Sequence, residues 1–219
     1  MAVFKDRSHA GEVLAQRLEL YSDREDVVVL ALPRGGVPVA FEVARALSAP
    51  LDIFLVRKLG LPGHPELAMG AIASGGVQVL NEDVVEGLGI PENLIEKVIE
   101  SELLELERRE RTYRGEQPGP DLRQKTVILV DDGLATGASM RAAIAGIRTQ
   151  DPASVIVAVP TASPETCEEF ESEVDEVVCV ITPQPFHGVG MWYDDFSQTT
   201  DEEARDLLQR AKAWVRPDE

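Results

Sequence analysis

The stretch Val127-Ile128-Leu129-Val130-Asp131-Asp132-Gly133-Leu134-Ala135-Thr136-Gly137-Ala138-Ser139-Met140 decides the fold of this 219-residue chain. Four β-formers run into two adjacent carboxylates, then a small-residue loop, then the first turn of an apolar-periodic helix. A short continuous apolar run bounded in this way reads as a strand buried on both faces, as in parallel sheets covered by helices. Asp131 and Asp132 then stand at the carboxyl end of that strand. The N–H groups of Gly133 to Ser139 gather at a helix N-terminus, where anions are favoured. Two neighbouring acids can also arise from a plain strand-end turn, but that reading leaves the loop and the helix start in register unexplained.

Working outward, Val27 to Leu32 is another buried apolar run, ending at Pro33-Arg34-Gly35-Gly36 and followed by a helix from about Val37 to Leu47. Leu51 to Val56 reads as the next strand, ending at Arg57-Lys58. Leu59 to Glu66 holds Gly60, Pro62, Gly63 and Pro65, has no period, and reads as a mobile loop. Ala71 to Ala73 and Val77 to Leu80 flank Ser74-Gly75-Gly76 as a small hairpin. Pro91 to Arg114 is a long charged helix with an apolar stripe of Leu94, Ile95, Val98, Ile99, Leu103 and Leu106. Its charges read as a solvated face, and its stripe packs either on the core or on a second subunit. Beyond the Gly115 to Asp121 connector come the opening motif and its helix, a strand Ser154 to Val159, and a helix Pro164 to Phe170. A strand Val177 to Ile181 and an amphipathic tail Thr200 to Trp214 complete the pattern. At the other end, Ser8 caps a helix with Glu12 near its start. Alternating strands and helices argue for one α/β domain over 1–219 with a parallel sheet, its core at 27–181, a helical insertion at 91–114 and a C-terminal segment at 186–219. In such sheets ligands sit at the carboxyl ends of strands, where the glycine-rich loops fall.

The chain carries 21 basic and 39 acidic residues, a formal charge of −18, and only five of its cations are lysines. Such a surface repels nucleic-acid phosphates and anionic lipid, so neither is an expected partner. No apolar run approaches the ~18–20 residues of a membrane span. Met1 to Arg7 shows no signal-peptide core, and a cytoplasmic location is expected. Cys167 and Cys179 are the only cysteines. They lack metal-ligand spacing and read as packing residues, since cytosolic chains rarely keep disulfides.

A carboxylate pair beside a phosphate cradle suits a ligand bearing hydroxyls and a phosphate, a ribose 5-phosphate. The segment Val127 to Met140, an apolar run, two acids, two apolar or small residues and Ala-Thr-Gly-x-Ser, resembles the signature of the type I phosphoribosyltransferases. The resemblance implies a Rossmann-like parallel sheet flanked by helices, with a small hood. It also implies a Mg²⁺-dependent transfer of the phosphoribosyl group from phosphoribosyl pyrophosphate (PRPP) to a nitrogenous base. In that scheme Asp131 and Asp132 hold the ribose hydroxyls and steady the waters of Mg²⁺. Ala135, Thr136, Gly137, Ala138 and Ser139 cradle the 5-phosphate. Two glycines let the chain at Arg34, Gly35 and Gly36 curl and aim its N–H groups, and Arg34 adds a planar cation. In the resembled family this loop grips pyrophosphate.

Arg57 and Lys58 resemble a catalytic Arg-Lys pair of adenine and orotate phosphoribosyltransferases. The loop after it, Leu59 to Gly70 here, is the candidate lid, with His64 as a bystander. Phe186 and Trp192, in Phe186-His187-Gly188-Val189-Gly190-Met191-Trp192-Tyr193-Asp194-Asp195, are candidates to stack the acceptor ring, although the segment can equally pack its aromatics on the sheet. A homodimer through the long helix is the oligomer this reading allows. A PRPP-binding regulator that senses rather than turns over the ligand is the alternative. A metal-dependent phosphohydrolase lacks a second set of partners for the aspartates. A dinucleotide site lacks Gly-x-Gly-x-x-Gly after the first strand.

Overall fold

Residues 3–62 and 64–214 are described by a computed structural model of the chain. From the N-terminus, α1 (Arg7–Arg17) leads to β1 (Val27–Ala31), α2 (Gly36–Leu47) and β2 (Leu51–Ile53). Three strands follow, β3 (Val56–Leu61), β4 (His64–Ala73) and β5 (Val77–Leu80), then α3 (Glu82–Gly87) and α4 (Glu92–Arg114). The second half runs β6 (Thr126–Val130), α5 (Ala138–Arg148), β7 (Ser154–Thr161), α6 (Pro164–Glu171), β8 (Glu176–Ile181) and α7 (Asp201–Ala211).

Five strands form a parallel sheet in the order β2-β1-β6-β7-β8, and β3-β4-β5 form a separate antiparallel sheet. The parallel sheet is apolar along its whole length because helices cover both faces. Alternate residues divide between two cores. Val27, Val29, Ala31, Ile128 and Val130 pack with residues of α1, α2 and α7. Val28, Leu30, Val127 and Leu129 pack with residues of α5 and α6. Each such side chain contributes about 1.5–3 kcal/mol on burial. No helix among the described residues is long and apolar enough to cross a membrane.

The apolar stripe of α4 finds its partner within the chain. Ile95 and Leu106 are buried in the first core, and Leu94, Val98, Ile99 and Leu103 pack against it. The helix is also fastened by charge. Arg114, whose side chain is 9% exposed, pairs with Asp52 of β2 at 2.8 Å and with Glu110 at 3.0 Å. It also donates to the Ile53 carbonyl at 2.5 Å. One cation thereby satisfies two half-buried carboxylates and a strand end.

Several expectations need correction. The expected strand Leu51 to Val56 is two elements: β2 stays in the parallel sheet, while β3 leaves it for the antiparallel one. The expected loop Leu59 to Glu66 lies largely in the β3–β4 hairpin, with Leu59 opposite Gly70. Burial overrides its glycines and prolines, since Leu59 and Met69 are fully enclosed in the first core. Gly63, within the candidate lid, and the His64 side chain lie outside the described residues. The α1 cap is Asp6, whose side chain accepts from the His9 N–H at 2.8 Å, not Ser8. Cys167 and Cys179, read as packing residues, are joined in a disulfide, because α6 lies beside the edge strand β8 and brings the two side chains together.

Removing Arg114 strands two carboxylates beside β2. Arg114→Leu is expected to lower stability by about 3 kcal/mol, within the range for breaking a buried pair by deleting one partner. Chemical denaturation checks this, and a loss under ~1 kcal/mol contradicts the anchoring role.

Candidate functional site

The strand order creates the site. β1 and β6 are neighbours in register from Val27–Thr126 to Ala31–Val130. The chain leaves β1 toward β2 on one side and β6 toward β7 on the other, so the two crossovers run to opposite sides. A crevice opens where strand order reverses in this way.

Those two loops touch. A Cβ placed on Gly35 would stand 2.1 Å from Asp132 Oδ2, and one on Gly36 would stand 2.7 Å from the Val130 carbonyl and 2.9 Å from Asp131 Cα. Only a backbone without side chains approaches the acids this closely. The Pro33–Arg34 peptide ahead of them is cis.

Both carboxylates are largely withdrawn from water. Asp131 Oδ1 accepts from the Asp132 N–H at 2.8 Å. Asp132 Oδ2 accepts from Arg7 Nε at 2.8 Å, with the two side chains 15% and 11% exposed. Burial holds the Asp131 carboxyl well above the usual carboxylate range, and the adjacent Asp132 charge pushes it further. Burial also raises Asp132, against the opposing pull of Arg7. The Tyr193 hydroxyl donates to the Asp132 carbonyl at 2.6 Å, and its own pKa is raised by burial and then by the Asp132 charge.

Arg7 and Tyr193 belong to a hood in which the two ends of the chain meet. Phe4 bridges to Tyr193, Arg7 Nη1 donates to the Ser197 carbonyl at 2.6 Å, and the guanidinium stacks 4.0 Å from the Phe196 ring centre. The sequence reading missed both residues. Arg7 and Asp132 are 125 positions apart, and no local pattern links them.

The loop from Gly133 to Gly137 is fixed from behind. The Leu134 N–H donates to the Thr161 carbonyl at 2.9 Å. The Ala135 carbonyl accepts from Thr166 Oγ1 at 3.1 Å, and the Thr136 carbonyl from Arg141 Nη1 at 2.9 Å. Arg141 is itself held by Glu173 at 2.8 Å and Glu169 at 2.5 Å, over the Phe170 ring. Gly137 has φ +69°, and a Cβ there would meet Phe170 at 2.5 Å. With the carbonyls engaged, the N–H groups of Ala135 to Ser139 make no hydrogen bond among the described residues. Ala135, Thr136, Ala138 and Ser139 are exposed. These unpaired donors stand at the start of α5, where the helix N-terminus favours negative charge.

One concavity reaches the acids and another lies beside the loop that opens α5. One, of about 490 Å³, is lined by Arg7, Arg34, Gly35 and Asp132 together with Arg108, Arg109, Thr112 and Tyr113 of α4. The other, about 740 Å³, runs past Ala135, Ser163, Glu165, Gln184, Pro185 and Phe186. Phe186 therefore stands beside the phosphate-type loop. Trp192 lines neither; it packs in the hood core against Phe4, Ala10 and Tyr193, with a buried Nε1 that lacks a partner among the described residues. Arg57 and Lys58 also line neither. They lie within β3, where Arg57 pairs with Glu102 of α4 and Lys58 is exposed. No group of three or more metal-binding side chains occurs among the described residues.

Comparison with known proteins fits this geometry. Residues 7–195 match the family described as phosphoribosyl transferase domain. Two Mycobacterium tuberculosis proteins, from strains CDC 1551 and H37Rv and provisionally named phosphoribosyl transferases, are each 47% identical over 211 residues. That alignment covers 96% of this chain and 47% of theirs, so the chain spans about half the length of the curated relatives it matches. The crystal structure of a protein from Thermus thermophilus is 43% identical, with a TM-score of 0.84 over 96% of this chain and 99% of that one.

Desolvation of Asp131 has a measurable cost. Asp131→Asn keeps the acceptor for the Asp132 N–H and removes the charge. At pH 7 it is expected to stabilise the fold and raise the melting temperature, because burial and the Asp132 charge both disfavour the ionised carboxylate. The folded-state pKa is raised above the unfolded value near ~4, so the gain is lost as pH falls through the folded value. A melting point unchanged at pH 7 contradicts the burial argument.

Proposed function

The chain belongs to the phosphoribosyl transferase domain family, and on that premise we propose that it transfers a 5-phosphoribosyl group from PRPP to a nitrogenous base or related small acceptor, releasing pyrophosphate. One observation carries the reading: a half-buried acid pair lies between the Gly35–Gly36 loop and the loop that opens α5, at the crevice between β1 and β6. The donor has the same order of groups, a phosphate, a pair of ribose hydroxyls and a pyrophosphate.

In this reading Ala135 to Ser139 hold the 5-phosphate through backbone N–H groups, with Thr136 and Ser139 adding hydroxyls. Asp131 and Asp132 accept from the ribose hydroxyls. The Gly35 N–H and the guanidinium of Arg34 hold the pyrophosphate, while the Gly36 N–H is already given to the Leu32 carbonyl at 3.0 Å. Displacement breaks the bond from the anomeric carbon to the pyrophosphate oxygen as a bond from the acceptor nitrogen forms, with inversion at that carbon. The transition state is oxocarbenium-like, so the site works by positioning the donor and neutralising the leaving charge. Two adjacent carboxylates without a third ligand suit a Mg²⁺ ion carried chiefly by phosphate oxygens, with Asp131 and Asp132 meeting its waters. The ion would neutralise the leaving pyrophosphate. The groove beside the cradle offers Phe186 as the stacking face for a flat acceptor.

A second reading, a PRPP-binding regulator, is favoured by one observation. Arg57 is engaged with Glu102 and Lys58 lies apart, so neither expected catalytic cation faces the acids.

The donor reading is tested on Asp131→Asn with Asp132→Asn. The double variant is expected to lose PRPP affinity by about 100-fold or more, two charge-assisted contacts being worth roughly 1.5–3 kcal/mol each. Calorimetry with Mg²⁺ measures this, and binding equal to that of the unaltered protein would falsify the assignment. Pyrophosphate release across a panel of purine and pyrimidine bases separates the two readings, a transferase giving release with an acceptor and a regulator with none.

A further inference from the structure

We propose that Arg108 and Arg109 of α4 bind the pyrophosphate end of the donor, supplying the cations that the sequence placed at Arg57 and Lys58. The inference rests on the donor reading above and extends it to a helix that the charge pattern marked as solvated.

Position is the first argument. Arg108, Arg109, Thr112 and Tyr113 fall on one face of α4, and that face walls the same 490 Å³ cavity as Arg34, Gly35 and Asp132. Arg111, on another face, pairs with Glu107 and does not line it. Charge is the second. In a chain of net −18, four arginines meet two aspartates, Asp132 and Asp201, in the lining of one cavity. That is an inversion of the surrounding field, and it selects an anion.

The third argument is the hydrogen-bond capacity left over. Arg108 gives Nε and Nη2 to Glu105, at 2.7 and 2.9 Å, and keeps Nη1. Among the described residues Arg109 gives only Nε, at 3.0 Å, and keeps both Nη groups. One carboxylate thus orients two guanidinium forks without using them up, and such forks match phosphate oxygens. Asp201, the anion nearest Arg34 at 3.7 Å, is held by the Tyr113 hydroxyl at 2.6 Å. The helix itself is immobilised at Arg57–Glu102 and Arg114–Asp52, so both arginines stand on a rigid support. Arg57 here is a positioning residue: it fixes α4 instead of facing the ligand.

The experiment is calorimetric titration with inorganic pyrophosphate and, separately, with ribose 5-phosphate, on the full chain. R108Q and R109Q are each expected to weaken pyrophosphate binding about tenfold, and the pair more than either. R111Q removes the same charge from the same helix and is expected to change it less than about twofold. Ribose 5-phosphate affinity is expected to be unchanged in all of them. Equal losses in R111Q, or none in R108Q and R109Q, overturn the inference, as does an unaltered protein that does not take pyrophosphate. If the arginine pattern holds but ribose 5-phosphate does not bind, the anion site stands and the donor reading fails.

Discussion

The contact on which the rest depends is the approach of the Gly35-Gly36 backbone to Asp131 and Asp132. It requires β1 and β6 to be neighbours, because only then do the two loops leave the sheet side by side. It requires two residues without side chains, because a single Cβ would displace a carboxylate or a carbonyl. It also explains the electrostatics. Acids packed under a loop and a hood lose water, and their ionised form becomes costly unless a cation or a ligand compensates. Arg7 compensates one of them. Asp131 has a backbone N–H and only the more distant pull of Arg7 to set against burial and its neighbour's charge.

What the sequence disclosed was what chemistry writes locally. Apolar runs ending in Asp-Asp or Arg-Gly-Gly gave the strands of the parallel sheet and the loops at their ends, and the strand order then made those loops adjacent. The hairpin around Ser74 to Gly76 was legible for the same reason, since turn residues stand between two short strands. Long-range relations were not legible. Arg7 reaches Asp132 across 125 positions, and Tyr193 reaches the same residue from 61 positions on the other side. Nothing in the charge run of α4 distinguishes Arg108 and Arg109 from Arg111; only the helix's azimuth, set by the burial of Ile95 and Leu106, does so. The β3–β4 hairpin was hidden by its glycines and prolines, which carry a strong local signal that the enclosure of Leu59, Met69 and Ile72 outweighs. The cysteines depended on topology too, because only the edge position of β8 beside α6 sets them together.

The molecule also divides labour between its two helix layers. α5 and α6, on one face, shape and brace the cradle at Ala135 to Ser139. On the other side of the crevice, α4 walls the cavity that Arg34 and Gly35 share. The acids lie at the seam between the layers, and the hood from both chain ends closes over them.

The bracing of the cradle has a kinetic meaning. Thr166, Arg141 and Phe170 settle the loop's conformation when the chain folds, so little backbone entropy is left to lose when an anion arrives. On the proposed reading, association of the phosphate at this end is governed by diffusion and the local field, with no slow loop rearrangement to gate it.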